Sequence, residues 1–141
     1  EALSYPDASL ECVFHGDVLE HVPNPNAALR ECYRVLRPGG VLVFTCPFFD
    51  IEQHIVRCEV IDGVLRHHLP PGYHGNPVSS AGSLVYTHHG WPLIEDVRGA
   101  GFERVEIGLC FDVYQGIVSN ANPYPEGHMW PVVFRAIRAA H

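Results

Sequence analysis

The sequence is poor in positive charge and contains no long apolar run. Nine basic residues stand against sixteen acidic ones, which gives a formal net charge of -7 when histidine is neutral. This balance excludes binding to nucleic acid or to an anionic membrane through bulk charge. No apolar stretch approaches the ~20 residues that cross a bilayer, and no basic, apolar leader is visible. We therefore expect neither a nucleic-acid partner nor a membrane partner.

Closely spaced cysteines are also lacking. The five cysteines include no Cys-x-x-Cys pair, and four of them fall in segments with apolar periodicity, where a free thiol packs as a small hydrophobe. An odd number without close spacing is typical of reduced thiols and predicts a cytoplasmic protein. The Gly-x-Ser-x-Gly turn is absent as well, so nothing supports a serine or cysteine nucleophile.

What the sequence does contain is an alternation of strand and helix patterns. Residues 10–14 are apolar except at one position, which predicts a buried strand. Asn24 and Pro25 then predict the start of a helix, because asparagine caps free backbone donors and proline suits the first helical position. Pro38 predicts its end, and the nearly continuous apolar run at residues 41–46 predicts a strand covered on both faces.

The rest of the chain predicts a longer series of elements. In order, these are a partly helical segment at 50–68, a loop at 69–82, a short strand at 84–86, a helix at 92–98, a strand at 105–113, a loop at 115–127 and a last strand at 131–139. Alternating strands and helices indicate an α/β fold with a mostly parallel sheet, helices on both faces and an antiparallel last strand. We expect a single domain, residues 1–141, with a loop-rich insert at about residues 67–90.

Two ordered motifs carry a resemblance to a known family. Residues 17–23 read Asp-Val-Leu-Glu-His-Val-Pro, and residues 34–40 read Arg-Val-Leu-Arg-Pro-Gly-Gly. Together they resemble the middle of the class I S-adenosylmethionine-dependent methyltransferases, in their type 11 branch. The first forty-eight residues are similar to the fourth strand, the following helix and the fifth strand of that fold, and the insert resembles one found in a subgroup.

The resemblance implies a partial Rossmann-like methyltransferase sheet, the cofactor S-adenosylmethionine and a small-molecule methyl acceptor. The family's glycine-rich turn and ribose-binding carboxylate have no counterpart in this sequence, so the chain resembles the C-terminal half of the domain without its N-terminal cofactor-binding part. We therefore expect weak cofactor binding. The alternatives are a non-catalytic, self-associating module and a small-ligand or metal-binding protein that uses the histidine-rich insert.

Three residues at the end of the first strand are the candidate cofactor contacts: His15, Gly16 and Asp17. Ligands of open α/β sheets bind at the carboxyl ends of strands, and the resemblance places this loop near the methionine part of the cofactor. Asp17 is equally interpreted as the cap of the short turn that follows it.

His21 is the candidate catalytic residue. Its side chain titrates near neutral pH and suits a general base. A structural role is also open, in which Glu20 and His21 tie the entry of the helix to a neighbouring strand.

The insert is rich in histidine and aromatic residues. The five histidines there are His67, His68, His74, His88 and His89, of ten in the chain. Imidazoles bind zinc, but their spacing matches no closed zinc pattern, and we predict no metal. Tyr73, His74 and Trp91 are expected to line a substrate mouth.

The first strand also predicts an assembly. In the full fold this strand is interior, so here residues 10–14 are expected to leave an apolar edge. Such an edge is a template for pairing with another chain, and a two-fold dimer closes it most simply. We therefore expect a homodimer that buries residues 10–14.

Overall fold

The computed structural model describes residues 2–76, 79–109, 111–118, 125 and 127–140. Twelve strands and two α-helices are assigned among these residues. The elements are β1 (Leu10–Gly16), a 3-10 turn (Leu19–His21), α1 (Pro25–Val35), β2 (Leu36–Thr45), β3 (Phe48–Phe49), β4 (Ile55–Val56), β5 (Cys58–Ile61), β6 (Val64–His67), β7 (Tyr73–Asn76), β8 (Ser79–Leu84), β9 (Thr87–His88), α2 (Leu93–Gly99), β10 (Arg104–Leu109), β11 (Met129–Trp130) and β12 (Val132–Ile137).

A four-stranded mixed sheet organises the molecule, in the order β1-β2-β12-β10. β1 runs parallel to β2, with Phe14 opposite Val43. β12 lies antiparallel between β2 and β10, with Phe134 opposite Phe44 on one side and Ile107 on the other. The predicted parallel pair and the antiparallel last strand are confirmed.

Side-chain hydrogen bonds to the backbone stabilise both ends of helix α1. The Asn24 side chain accepts a hydrogen bond from the Ala27 amide at 2.9 Å, as a cap should. The helix ends at Val35, three residues before Pro38, because the chain is already extended at Leu36. Arg138 from the last strand's end donates to the carbonyl of Leu36 at 2.6 Å. It thereby satisfies an acceptor that a helix end leaves free.

The core lies between the two helices and one face of the sheet. Leu29 of α1 and Val97 of α2 join Phe44 and Phe134 in a single buried cluster. Helices were expected on both faces, but both described helices lie on this one face. On the other face Phe14 is 74% exposed, because no described helix covers it.

The helix predicted within residues 50–68 is wrong, since this segment forms strands β4, β5 and β6. β5 and β6 make a hairpin that pairs Ile61 with Val64. Asp62 and Gly63 join them with φ values of 51° and 76°. This Asp-Gly turn, flanked by β-branched residues, is a strong hairpin pattern that outweighs the helical interpretation.

Two further predictions are corrected along the insert. The loop expected at residues 69–82 contains the hairpin of β7 and β8, in which Tyr73 pairs with Leu84. The short strand expected at residues 84–86 is replaced by the end of β8 and by β9. The glycine and serine residues of this segment favour a loop prediction, because they lower strand propensity without preventing strand formation.

The long strand predicted at residues 105–113 ends early, at Leu109. Asp112 accepts hydrogen bonds from the amides of Tyr114 and Gln115 and holds a turn there, a role that aspartate performs often. Cys110 lies outside the described residues, as does most of the loop predicted at 115–127. No helix of the described chain is long and apolar enough to cross a membrane.

The stacked pair of Phe44 and Phe134 predicts an unequal response to substitution along β12. Their ring centroids are 4.9 Å apart, and Phe134 is fully buried. We expect Phe134→Ala to lower the free energy of unfolding by about 3–5 kcal/mol. The neighbouring Val133→Ala, on the open face, should cost about 0.5 kcal/mol or less. Urea denaturation measures both, and equal losses would contradict this core.

Candidate functional site

The carboxyl ends of β1 and β2 meet at one edge of the sheet. The Asp17 amide donates to the Thr45 carbonyl at 2.9 Å, and the Thr45 hydroxyl donates to the Asp17 carboxylate at 3.2 Å. Asp17 has a φ of 51°, in a left-handed region that non-glycine residues seldom occupy. These two hydrogen bonds hold the ends of β1 and β2 together. The interpretation of Asp17 as a helix cap is wrong, because the turn begins at Val18 without a side-chain cap.

The side chain of His15 lies away from Asp17, on the helix-covered face. Its ring stacks on Phe44 with centroids 5.2 Å apart, and its Nδ1 atom is buried without a hydrogen-bond partner. Burial lowers the pKa of His15, and the charge of Asp17 opposes that shift. His15 borders an apolar cavity of about 360 Å³ with Val18 and Cys32. The side chains of His15 and Asp17, two of the candidate cofactor contacts, therefore lie apart from each other.

A second cavity of about 310 Å³ lies directly outside the strand ends. Its lining residues are Asp17, Glu20, His21, Pro47, His74, Gly75 and Ser83. The insert contributes His74 to the lining of this cavity, and its role in substrate binding stays a prediction. Tyr73 is 60% exposed and is not part of the lining.

Trp91, the third expected substrate residue, lies elsewhere. Its Nε1 donates to the Asp50 carboxylate at 2.8 Å, and its ring meets Phe48 edge-on. It borders a separate apolar recess with Ile107 and Trp130. The predicted substrate mouth is thus divided between two places.

Glu20 is the residue of this site that the sequence left in the background. Its side chain is completely buried, and neither carboxylate oxygen accepts a hydrogen bond from another described residue. Burial raises the pKa of Glu20, while its own backbone amide and His21 act against that shift. Only its place in the motif beside His21 indicated it, because a glutamate in a polar segment is normally exposed.

Two histidines face Glu20 from different segments. His21 Nδ1 donates to the Leu84 carbonyl at 2.7 Å, and its Nε2 lies 3.5 Å from Glu20 Oε1. His74 Nδ1 lies 3.8 Å from the same oxygen. The two imidazole rings meet edge-on with centroids 5.0 Å apart. The predicted structural tie is therefore present, since His21 connects the turn after β1 to the end of β8.

The other insert histidines do not join this group. His67 and His68 are exposed, and His68 Nε2 lies 2.7 Å from Glu59 Oε1. His88, in β9, and the following His89 are buried and do not line the cavity. The cluster suggested by the sequence is thus dispersed, with His74 as its one member in the cavity described here.

Comparison with known proteins finds relatives among methyltransferases. Residues 1–44 match the family described as "Methyltransferase domain". A ubiquinone/menaquinone biosynthesis C-methyltransferase of Pectobacterium carotovorum is 33% identical over 129 residues, which cover 84% of this chain and 48% of that protein. A ubiquinone biosynthesis O-methyltransferase of Pseudomonas putida is 48% identical over 58 residues, covering 41% of this chain and 25% of that protein. The chain spans about half the length of the C-methyltransferase.

Solved structures show the same fold. An S-adenosylmethionine-dependent methyltransferase of Mesorhizobium loti superposes with a TM-score of 0.56 at 17% identity, covering 96% of this chain and 65% of the other. A possible histamine N-methyltransferase of Thermotoga maritima gives 0.50 at 23% identity, covering 96% and 59%. The resemblance drawn from the sequence is confirmed: this chain has the α/β fold of the S-adenosylmethionine-dependent methyltransferases.

The burial of His89 predicts a pH-dependent stability. Burial and the neighbouring His54 and His88 lower its pKa from 6.5 to about 4, against the Leu19 backbone and Asp96. Between pH 6.5 and about pH 4, the unfolded chain therefore binds more protons at this position than the folded chain does. The free energy of unfolding has its full value above pH 6.5 and decreases as the pH falls towards 4. At about 1.4 kcal/mol per pH unit, the loss is roughly 3 kcal/mol.

Urea denaturation across this pH window measures the effect. His89→Leu, which removes the titrating ring, should flatten the decline, whereas His67→Leu at an exposed site should not. An unchanged decline in His89→Leu would contradict the assignment.

Proposed function

We propose that this chain supplies the acceptor side and the methionine side of an S-adenosylmethionine-dependent methyltransferase site for a small molecule. The observation that carries this proposal is the cavity of about 310 Å³ at the carboxyl ends of β1 and β2. Ligands of open α/β sheets bind at that edge. The fold of the chain and the family match of its first forty-four residues support the reaction class.

S-adenosylmethionine, when bound, supplies an already activated methyl group, so the protein's task is positioning. The residues of this chain fit one end of the cofactor only. Asp17, exposed and fixed by Thr45, presents a carboxylate to a cationic amino group. Gly16 lets a ligand approach the backbone beside it. The described residues contain no glycine-rich turn and ribose-binding carboxylate for the adenosine end. Each missing hydrogen bond weakens binding by about 1 kcal/mol, so affinity of the chain alone should be low.

His21 acts in this proposal mainly as a positioning residue. Its Nδ1 is engaged by the Leu84 carbonyl, and its Nε2 faces Glu20. A general base needs a free nitrogen directed at the substrate. A base role for His21 stays a prediction. His74 borders the open cavity and is the better placed of the two imidazoles to contact an acceptor.

Ligand halves test the proposed orientation of the cofactor. We expect S-adenosylhomocysteine to bind the isotopically labelled chain weakly and to shift the amide resonances of Gly16, Asp17 and Val18. Methionine alone should shift the same amides, and adenosine should not. Asp17→Ala should remove these shifts, and Glu103→Ala, distant in the sheet, should leave them. Tight one-site binding, or shifts caused by adenosine alone, would contradict the proposal.

Self-association is a second candidate function, and the exposed edge of the sheet favours it. β1 is the terminal strand of the four-stranded sheet, and Phe14 on it is 74% exposed. Glu11 is the acidic residue on this strand, and it is engaged by Arg37 at 2.7 Å. Unpaired backbone groups beside an apolar side chain attract a further strand. We propose a two-fold dimer that buries residues 10–14.

Light scattering tests this assembly. We expect the mass of a dimer for the unmodified chain and of a monomer for Phe14→Glu, because the new carboxylate would be buried unpaired at the interface. Leu109→Glu is the matched control, since Leu109 is 55% exposed on the opposite edge strand. A monomeric unmodified chain, or dissociation by the control as well, would overturn the dimer.

A further inference from the structure

Three potential metal ligands converge on one wall of the strand-end cavity. The donor atoms of Glu20, His21 and His74 all lie within 4.8 Å of one another. Two of them come from the turn after β1 and the third from β7 in the insert. His74 lies fifty-three positions after His21 in the sequence, so only the fold brings this set together.

The Glu20 carboxylate needs a positive partner. It is completely buried, and no other described residue donates a hydrogen bond to its oxygens. A buried carboxylate without compensation is strongly destabilising, so such groups are paired or coordinate metals. Two imidazole nitrogens lie at 3.5 and 3.8 Å from its Oε1 atom.

The hydrogen bond of His21 determines which of its nitrogens can bind a ligand. A carbonyl oxygen only accepts, so Nδ1 must carry the proton that it donates to Leu84 at 2.7 Å. In the neutral ring Nε2 then has a lone pair, and this lone pair faces Glu20 Oε1. A backbone carbonyl that orients a histidine in this way is the usual support of a metal-binding imidazole.

The separations are those of two ligands on one ion. A charge-assisted hydrogen bond would bring the atoms to about 2.7–2.9 Å, and 3.5 Å is longer. Tetrahedral zinc with bonds of about 2.0–2.2 Å holds its ligands roughly 3.4 Å apart. His74 Nδ1 lies 3.8 Å from the same oxygen, and all three donor atoms lie within 4.8 Å of one another, so binding an ion would draw them slightly closer.

We propose that Glu20 Oε1, His21 Nε2 and His74 Nδ1 bind a divalent transition-metal ion, with Zn²⁺ as the best match. Two imidazoles and one carboxylate suit zinc better than magnesium or calcium, which favour all-oxygen sites. The fourth position faces the cavity and is open to water or a ligand oxygen. The ion joins the insert to the end of β1. This inference does not depend on methyl transfer, and with the ion bound His21 is a ligand and not a base.

The sequence predicts no metal site, because the spacing of its histidines matches no closed zinc pattern. That pattern describes ligands supplied by two short local motifs. Here one ligand lies in a distant hairpin, and another is a glutamate, so local spacing carries no information about the set.

Calorimetry with Zn²⁺ on the tag-free, chelator-treated full chain tests the site. We expect one ion per chain and a raised thermal midpoint, because the ion binds only the folded state. Co²⁺ should give the visible absorption of a four-coordinate site. Glu20→Gln and His74→Ala should each weaken Zn²⁺ binding by at least about 100-fold, since even the loss of an outer partner costs 10–100-fold.

A surface pair provides the matched control. Glu59 and His68 lie 2.7 Å apart on the exposed β5–β6 hairpin, and the double variant Glu59→Gln/His68→Ala should bind Zn²⁺ as the unmodified chain does. Circular dichroism confirms folding, and if Glu20→Gln unfolds, the partly exposed His74→Ala decides alone. Absence of binding heat, retained affinity in His74→Ala, or equal loss in the control would overturn the site.

Discussion

The rest of the structure depends on the position of β2, which pairs in parallel with β1 and antiparallel with β12. Its parallel register with β1 sets Thr45 beside Gly16, and its antiparallel register with β12 sets Phe44 opposite Phe134. Alternation along one strand therefore sends Phe44 into the core and brings Thr45 to the site. A slip of one residue would reverse both assignments. Core and candidate site are fixed by the same set of backbone hydrogen bonds.

The site combines two parts with different origins in the chain. The hydrogen-bonded pair of Asp17 and Thr45 lies at the edge of the sheet and follows directly from its register. The group around Glu20 exists only because the β7–β8 hairpin folds back over the turn after β1. The amide of Tyr86 donates to the Glu20 carbonyl at 2.7 Å, which fixes the hairpin's end beside that turn. The insert thus completes a wall of the cavity that the sheet begins.

The sequence predicted the elements whose pattern is local and missed those decided by distant contacts. β1, α1 and β12 were recognisable because apolar period and caps lie within each segment. Residues 50–68 were misassigned because the Asp62-Gly63 turn outweighs a weak helical pattern. β10 was predicted too long because Asp112 turns the chain while apolar alternation continues. The burial of Glu20 could not be foreseen, since its neighbour His74 is set by tertiary structure alone.

Arg138 joins the end of β12 to the end of helix α1. Its guanidinium donates to the Tyr33 carbonyl at 2.9 Å and lies 4.5 Å from the centre of the Tyr33 ring. Helix α1 is thus held in part by a side chain that lies 105 positions later in the sequence. Contacts of such sequence separation slow folding, because the loop must close before they stabilise anything. The first helix is therefore expected to mature only after the last strand has entered the sheet.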